Sequence, residues 1–561
     1  MKFDRQLFFL AVSSIVVVVL GTFGFYEQRA EKDLLTSIYL ALQLFSMNSG
    51  VVEGVTPLSI EISRWLALGT LIAVVYATIN VLLVHFRSSV RIAFLKNHAI
   101  ICGAGKRGEA LVRAFLKTGT GKVVVIELDE NTPSLGELRN LGAEVVIGNA
   151  IDASVLQKAG CARAQTLVAV TGDDEKNLSI CKEVHTDINP TCELSAGVES
   201  WSWKTYYLDR MKLKIRLDSY LSRASRAVIL EIAIKAAEVA KFRDEGIRII
   251  LEISDVKRQE FLRAAIMMLQ ISGDKKPLIE LTCVGAGQEQ AFRERFPAVD
   301  LVADLRWHED AASNVFPEGS GQSPDFAIFA LSTDIETLEA AERFWMRHET
   351  PHDRIIACLH GDTDATNIET LQRKDKDFSV INLLDHGLGS KHPLEPNIEQ
   401  RAKICHTIYF KNEQAKNPNY GIKQGDQPEN WVDLKERIKE SNRLAAMHHQ
   451  VKRNAWHSRE PNTDMELLIH LARCEHMRWM AEKAMEGWRW SGSLDKSSRD
   501  NDKLKHNLLV PYDSLDNPEK DKDYNAFLWA LDISDDDLKL LDLAEESKRM
   551  VQLAKTINLG A

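Results

Sequence analysis

The 561-residue sequence predicts an α/β protein with parallel sheets, completed by a mainly helical C-terminal domain and carried on an N-terminal pair of membrane-crossing helices. Three observations predict it. Leu7–Tyr26 carries no charge, and Trp65–Phe86 carries only His85. A glycine-rich turn between two short apolar strands follows directly. Six of the eleven tryptophans then fall in the last 131 residues, among two strongly helical runs. The composition, 45% hydrophobic and 27% charged, excludes a wholly disordered chain. A net charge of −10 without a local basic patch excludes a general nucleic-acid binder. The eight cysteines show no CxxC spacing, so a reducing compartment is expected rather than a zinc or disulfide framework.

Residues 1–96 form the membrane region. Each apolar run is long enough to cross a hydrocarbon core of about 30 Å as a helix. No small-x-small cleavage site follows the first, which is read as an anchor rather than a signal peptide. Lys2 and Arg5 before it, and Arg87, Arg91 and Lys96 after the second, place both termini in the cytoplasm. Leu34–Phe45 is apolar but too short to span, and SMNSGVVEG follows it. That order resembles two-helix tetrameric cation channels, whose short helix aims its negative end at the ion path. The resemblance implies a homo-oligomer, expected as a tetramer, in the bacterial inner membrane. It implies a monovalent cation, with potassium a candidate, and a pore lined from Ser46, Asn48, Ser49, Gly50 and Glu53, with Asn80 on the second span. The filter sequence TVGYG is missing, so potassium selectivity stays open. The alternative is an amphipathic segment lying on the outer surface.

Residues 97–215 open with HAIICGAGKRGEALVRAFLKTGTGKVVVIELD. His98–Cys102 reads as a buried strand, and Gly103, Gly105 and Gly108 make G-x-G-x-x-G ahead of a helix. Lys122–Ile126 is the second strand, ended by Glu127, 19 residues past Gly108. Glycines let a pyrophosphate approach the helix N-terminus, and a carboxylate about 20 residues on accepts ribose hydroxyls. This is a Rossmann-like pattern, and it continues through Gly142, Gly148, Asp152, Leu156, Thr171, Asp174 and Asn177. Over 98–195 it resembles the RCK (TrkA-N, KTN) family of cytoplasmic regulators of potassium channels and transporters. The resemblance implies a nucleotide held by Gly103, Gly105, Lys106, Arg107, Gly108, Glu127, Asn149 and Thr171. Asn149 stands where the family usually has Asp, which leaves the nucleotide's identity open. Glu127 disfavours a 2′-phosphate, so NAD(H) or another adenine nucleotide is expected. The alternative is a sheet that binds nothing and serves for dimerisation.

Residues 216–274 read as a helical connector, with Asp218–Lys241 suited to pairing such domains. Residues 275–411 read as a second, degenerate unit of the same kind. Its expected strands are Pro277–Val284, Phe326–Leu331, Arg354–Leu359 and Phe378–Leu384. Gly285 and Gly287 are present, but Gln290 takes the third glycine's place, so no phosphate binding is expected. His360, Asp362 and Asp364 read as solvated loop residues rather than a metal site.

Residues 412–561 contain MELLIHLARCEHMRWMAEKAMEGWRW and HNLLVPYDSL. Leu471-Ala472, Glu475-His476, Arg478-Trp479, Gly487-Trp488, Lys505-His506 and Leu509–Tyr512 resemble the RyR domain, the repeat first described in ryanodine receptors. The functional reading is a nucleotide-derived ligand held by Arg478, Trp490, Asp495, Lys505 and Tyr512, through stacking faces and phosphate-pairing donors. The alternative is a small aromatic core.

No catalytic grouping such as GxSxG, HExxH or Walker A occurs, and a non-enzyme is expected. The expected function is a nucleotide-gated cation channel. The alternative is a membrane-anchored nucleotide-sensing signalling or anti-phage effector that does not conduct selectively. An NAD-dependent enzyme is disfavoured.

Overall fold

The computed structural model describes residues 2–28, 33–47, 56–117, 122–199, 215–239, 245–316, 324–348, 351–360, 378–388, 395–421, 427–458, 464–541, 543 and 545–558. They form two compact units, Met1–Leu95 and Lys96–Ala561.

The first unit has three helices: α1 (Lys2–Gln28), α2 (Leu34–Gln43, prolonged by a 3-10 turn, Leu44–Ser46) and α3 (Leu58–Phe94). Phe8–Gln28 and Leu58–Ile79 are long and apolar enough to cross a membrane. Small residues let the helices meet: a Cβ on Gly24 would come within 2.6 Å of Ile60 Cγ1. The Ser13 and Thr70 hydroxyls bond at 2.6 Å between α1 and α3. Asp33 caps α2 by accepting the Leu35 N–H. Ala41 and Leu44 set one face of the short segment into a core with Val17, Phe25, Ile60 and Ala67, while Leu34, Leu35, Tyr39 and Leu42 stay exposed. Phe9, Ile15, Val19, Phe23, Trp65, Ile72 and Tyr76 point outward, an apolar surface that water would not favour. Ser46 closes the 3-10 turn, its hydroxyl donating to the Gln43 carbonyl. Asn48, Ser49, Gly50 and Glu53 lie outside the described residues, and so does the side chain of Asn80.

In the second unit, two six-stranded parallel sheets share one topology. The first comprises β1 (Ala99–Cys102), β2 (Val123–Glu127), β3 (Glu144–Ile147), β4 (Thr166–Ala169), β5 (Glu193–Gly197) and β6 (Ile215–Asp218), ordered β3-β2-β1-β4-β5-β6. Ile100, Ile101 and Val123–Ile126 are buried, as strands covered on both faces require. The second comprises β7 (Arg248–Ile253), β8 (Leu278–Thr282), β9 (Asp304–Trp307), β10 (Phe326–Ala330), β11 (Ile355–Leu359) and β12 (Ser379–Asn382), ordered β12-β11-β10-β7-β8-β9.

This order corrects the sequence reading. The first strand of the second sheet is β7, inside the stretch read as a helical connector, and Leu278–Thr282 is the second strand. Gly285 and Gly287 therefore follow the second strand, away from the phosphate-loop position. The charges of RIILEI hide it as a buried strand. Arg248 pairs with Glu280 at 2.5 Å, and buried Glu252 accepts the Ala312 N–H at 2.6 Å. The predicted strands at 326, 355 and 379 lie within a few residues of expectation.

The helix Tyr220–Ala237, capped by Ser219, packs against Asp255–Met268 and Leu383–Leu388 of the second sheet and Glu436–His457 of the C-terminal region. In the C-terminal region Glu436–His457 packs against Glu395–Lys416 and Met465–Met485, and a small parallel ribbon, β13 (Arg489–Trp490) with β14 (Lys505–His506), follows.

Candidate functional site

The carboxyl ends of β1 and β4 flank the point where strand order reverses in the first sheet, the usual position of a ligand crevice in such sheets. The loop between β1 and the helix α4 (Lys106–Lys117) shows what each glycine is for. Gly103 has φ +106°, and a Cβ there would sit 2.7 Å from the Val170 carbonyl oxygen. A Cβ on Gly108 would collide with the Gly103 carbonyl. Gly105 is different, because nothing lies within 4 Å of its would-be Cβ. The first and third glycines are demanded by the fold; the second keeps open the space a ligand would use.

Glu127, at the end of β2, turns its carboxylate back onto this loop. Oε2 accepts the Ala104 N–H at 2.5 Å, and Oε1 accepts the N–H groups of Leu128 and Asp129. The acid is held beside the turn by backbone donors and retains acceptor capacity for a ribose. Thr171, after β4, donates both its N–H and its hydroxyl to Asn177 Oδ1, and Asn177 in turn donates to the Gly197 carbonyl, which fixes the crevice wall. Lys106 and Arg107 stand in the first turn of α4, where the helix dipole favours an anion. Asn149 is exposed past β3, and its Oδ1 accepts the Ile151 N–H in a local turn. The structure thus gathers Gly103, Gly105, Lys106, Arg107, Gly108, Glu127 and Thr171 around one crevice, with Asn149 at the end of the outermost strand.

Sequence spacing missed the partners of Arg107. Its guanidinium bonds Glu199 at 3.0 Å and lies 4.1 Å over the ring of Tyr220. Both residues fall some ninety positions or more downstream, where no local pattern marks them.

In the C-terminal region the five ligand candidates separate. Arg478 is 3% exposed, and its donors are committed to Glu475 and Glu482. Lys452 also reaches Glu475, at 2.6 Å. After the cost of burial, Arg478 and Lys452 hold the Glu475 carboxyl, and Lys483 and Arg478 the Glu482 carboxyl, well below the usual range. This corrects Arg478 as a ligand candidate: its charge neutralises a buried acid pair. Tyr512 is also buried, with Arg473 and Lys520 within 5.2 and 5.5 Å of its ring, and burial raises its phenol pKa. Trp490 and Lys505 lie on the ribbon, Trp490 opposite His506 and half exposed. Asp495 is exposed and accepts the Ser497 N–H, which lowers its pKa. Only Trp490, Lys505 and Asp495 remain available to a ligand. Asp362 and Asp364 lie outside the described residues, and among those described no group of three or more metal-ligating side chains gathers.

Residues 99–206 match the TrkA-N domain family, so the crevice belongs to a TrkA-N domain. The chain is also similar to potassium transport proteins. It is 28% identical over 305 residues to the Trk system potassium uptake protein TrkA of Halomonas elongata, over 52% of this chain and 57% of that protein. It is 29% identical over 109 residues to potassium channel protein 1 of Methanocaldococcus jannaschii, over 19% of this chain and 32% of that protein. An uncharacterized protein of Methanothermus fervidus is 34% identical over 100 residues, covering 18% of this chain and 15% of that one. The chain spans less than two thirds of each of these relatives. Among solved structures, the GsuK channel bound to ADP matches at TM-score 0.33 and 18% identity, over 69% of this chain and 96% of that one.

Proposed function

We propose that the chain is a subunit of a nucleotide-gated cation channel of the bacterial inner membrane. Four copies would surround a pore, with the C-terminal end of α2 aimed at the ion path and both termini cytoplasmic. Potassium is the candidate ion. The crevice at the first glycine loop takes NAD(H) or another adenine nucleotide, since Glu127 would repel a 2′-phosphate. Lys106 and Arg107 meet the pyrophosphate, Glu127 the ribose, and ligand occupancy shifts the cytoplasmic sheets between states. The C-terminal region, which resembles an RyR domain, receives a nucleotide-derived ligand at Trp490, Lys505 and Asp495. The chain is read as a sensor without catalysis.

One observation carries the reading: a TrkA-N domain, with open space at Gly105, follows two span-length apolar helices that share a core with one face of a short apolar helix. Purified protein reconstituted in potassium-loaded vesicles should release potassium in a way that ADP or NAD changes, and Gly105→Asp should abolish that response. Vesicles that stay tight under every nucleotide, while the protein binds one, would favour the second reading. That reading is a membrane-anchored nucleotide sensor or anti-phage effector without selective conduction, and the lack of TVGYG in 46–54 supports it.

A further inference from the structure

Arg107 bridges the first crevice. It stands on the first turn of α4, one residue before Gly108. Its partner Glu199 lies two residues past β5, and the Glu199 N–H is held by the Asp174 carboxylate at 3.1 Å. Asp174 opens the helix Asp174–Glu183 that follows β4. The ion pair therefore ties together the two helix starts that diverge at the switch point, where a diphosphate would lie. The second Glu199 oxygen accepts the Ser219 hydroxyl at 2.6 Å, at the cap of the helix Tyr220–Ala237. Tyr220, the first residue of that helix, is buried and offers a ring face to the guanidinium. Its phenol meets His360 Nδ1 at 3.2 Å, just past β11, and the His360 N–H donates to buried Asp334 at 2.6 Å.

We propose that Glu199 and Tyr220 hold Arg107 as a charge-selective gate across the crevice, opened by a ligand that carries a diphosphate. The gate rests on the nucleotide reading of the glycine loop. A guanidinium binds phosphate through the same paired donors it offers a carboxylate, so a diphosphate competes with Glu199 on equal geometry and with more charge. Adenosine, with no phosphate, has nothing to offer Arg107 and leaves the gate shut. The pair is suited to exchange, because the Arg107 and Glu199 side chains keep 33% and 26% of their exposure, whereas a fully buried pair would be costly to break. Withdrawal of Arg107 uncovers the Tyr220 face. Through the Tyr220–His360–Asp334 contacts, occupancy of the first sheet then reaches the carboxyl edge of the second.

The test uses full-length protein in detergent, with ADP and adenosine as probes and calorimetry as readout. Glu199→Gln removes the competitor and should tighten ADP roughly threefold, the scale of a part-exposed ion pair. Loss of a nearby negative charge would also help ADP, so the gain is compared in an Arg107→Gln background, where it should shrink. Adenosine affinity should stay level throughout. An equal gain in both backgrounds, or weaker ADP binding in Glu199→Gln, overturns the gate. Hydrogen exchange supplies the second readout. ADP should change protection across residues 355–360, and Tyr220→Phe, which keeps the ring and loses the phenol, should blunt that change. ADP binding with no change at 355–360 overturns the relay. Wild-type protein that binds neither ADP nor NAD overturns the nucleotide reading, and the gate with it.

Discussion

The two sheets share one strand order, and they differ at the loop that decides whether the crevice is open. In the first sheet the turn after β1 is CGAGKRG, with space beside Gly105 and a part-exposed Arg107–Glu199 pair across the switch point. In the second, the turn after β7 is ISDVKR, with no glycine. Lys257, buried, donates to the Leu331 carbonyl at 2.5 Å and so ties the start of its helix to the end of β10. Arg258, also buried, donates to the carbonyls of Ile253 and Cys283 at 2.7 and 3.0 Å, and to Asp255 and Gln288. The positive groups that could meet a phosphate are thus spent on the protein itself. The comparison teaches that a strand order preserves only the place for a site; the loop chemistry determines whether a ligand can enter.

The largest effect that would break this contrast is at Gly108. Gly108→Ala drives a methyl into the Gly103 carbonyl, and calorimetry should show ADP or NAD binding weakened by roughly 100-fold, about 3 kcal/mol. Undiminished affinity would mean that the first loop is not the site. Arg258→Met addresses the second loop. It strands two carbonyls and should cost about 1–3 kcal/mol in a denaturant melt, while nucleotide affinity stays within about twofold. Native mass measurement should find one nucleotide per chain; two would reopen the second sheet.

Acidification extends the comparison to the C-terminal region. Burial pushes the His506 pKa from 6.5 down to about 3, aided by the charges of Arg499 and Lys483. An unfolded chain takes up that proton near pH 6.5, whereas the folded chain refuses it until about 3. This contribution to stability is therefore complete above 6.5 and lost progressively as the pH falls through that window. Buried His448 and His449 act in the same direction, while His476, whose pKa Asp523 raises, acts against them. Tryptophan fluorescence, which weights the C-terminal region, should lose its native signal at a lower temperature at pH 5 than at pH 7. His506→Gln should flatten that difference. The smallest effect is expected at Trp490: Trp490→Ala should change stability by less than about 0.5 kcal/mol, because the ring is half exposed. A larger loss would mean that the ribbon is structural rather than available to a ligand.

Legibility in the sequence followed the range of the interaction. The apolar spans, the G-x-G-x-x-G turn and Glu127 are local patterns, fixed by helix length and by the reach of one β-α-β turn; the structure has the turn and Glu127 in place, and its second span-length window is Leu58–Ile79 where Trp65–Phe86 was expected, both within one helix, Leu58–Phe94. The second sheet was misread because Arg248 and Glu252 interrupt the apolar run of β7. Their compensation by Glu280 and by the Ala312 N–H comes from distant segments. Arg478 read as a ligand group for the same reason: a guanidinium in sequence carries no mark of the buried acids that will surround it.

The sequence by itself determined where the chain is apolar enough to span a bilayer, where a glycine-rich turn meets a helix start, and which region is aromatic and helical. Those properties depend on neighbours a few residues away. Tertiary structure alone decided that the second crevice is tied shut by Lys257 and Arg258, that Arg478 neutralises buried carboxylates, and that Arg107 rests on Glu199 and Tyr220. Each of these depends on charges meeting across long loops, where burial and partner geometry, rather than residue type, set the role of the group.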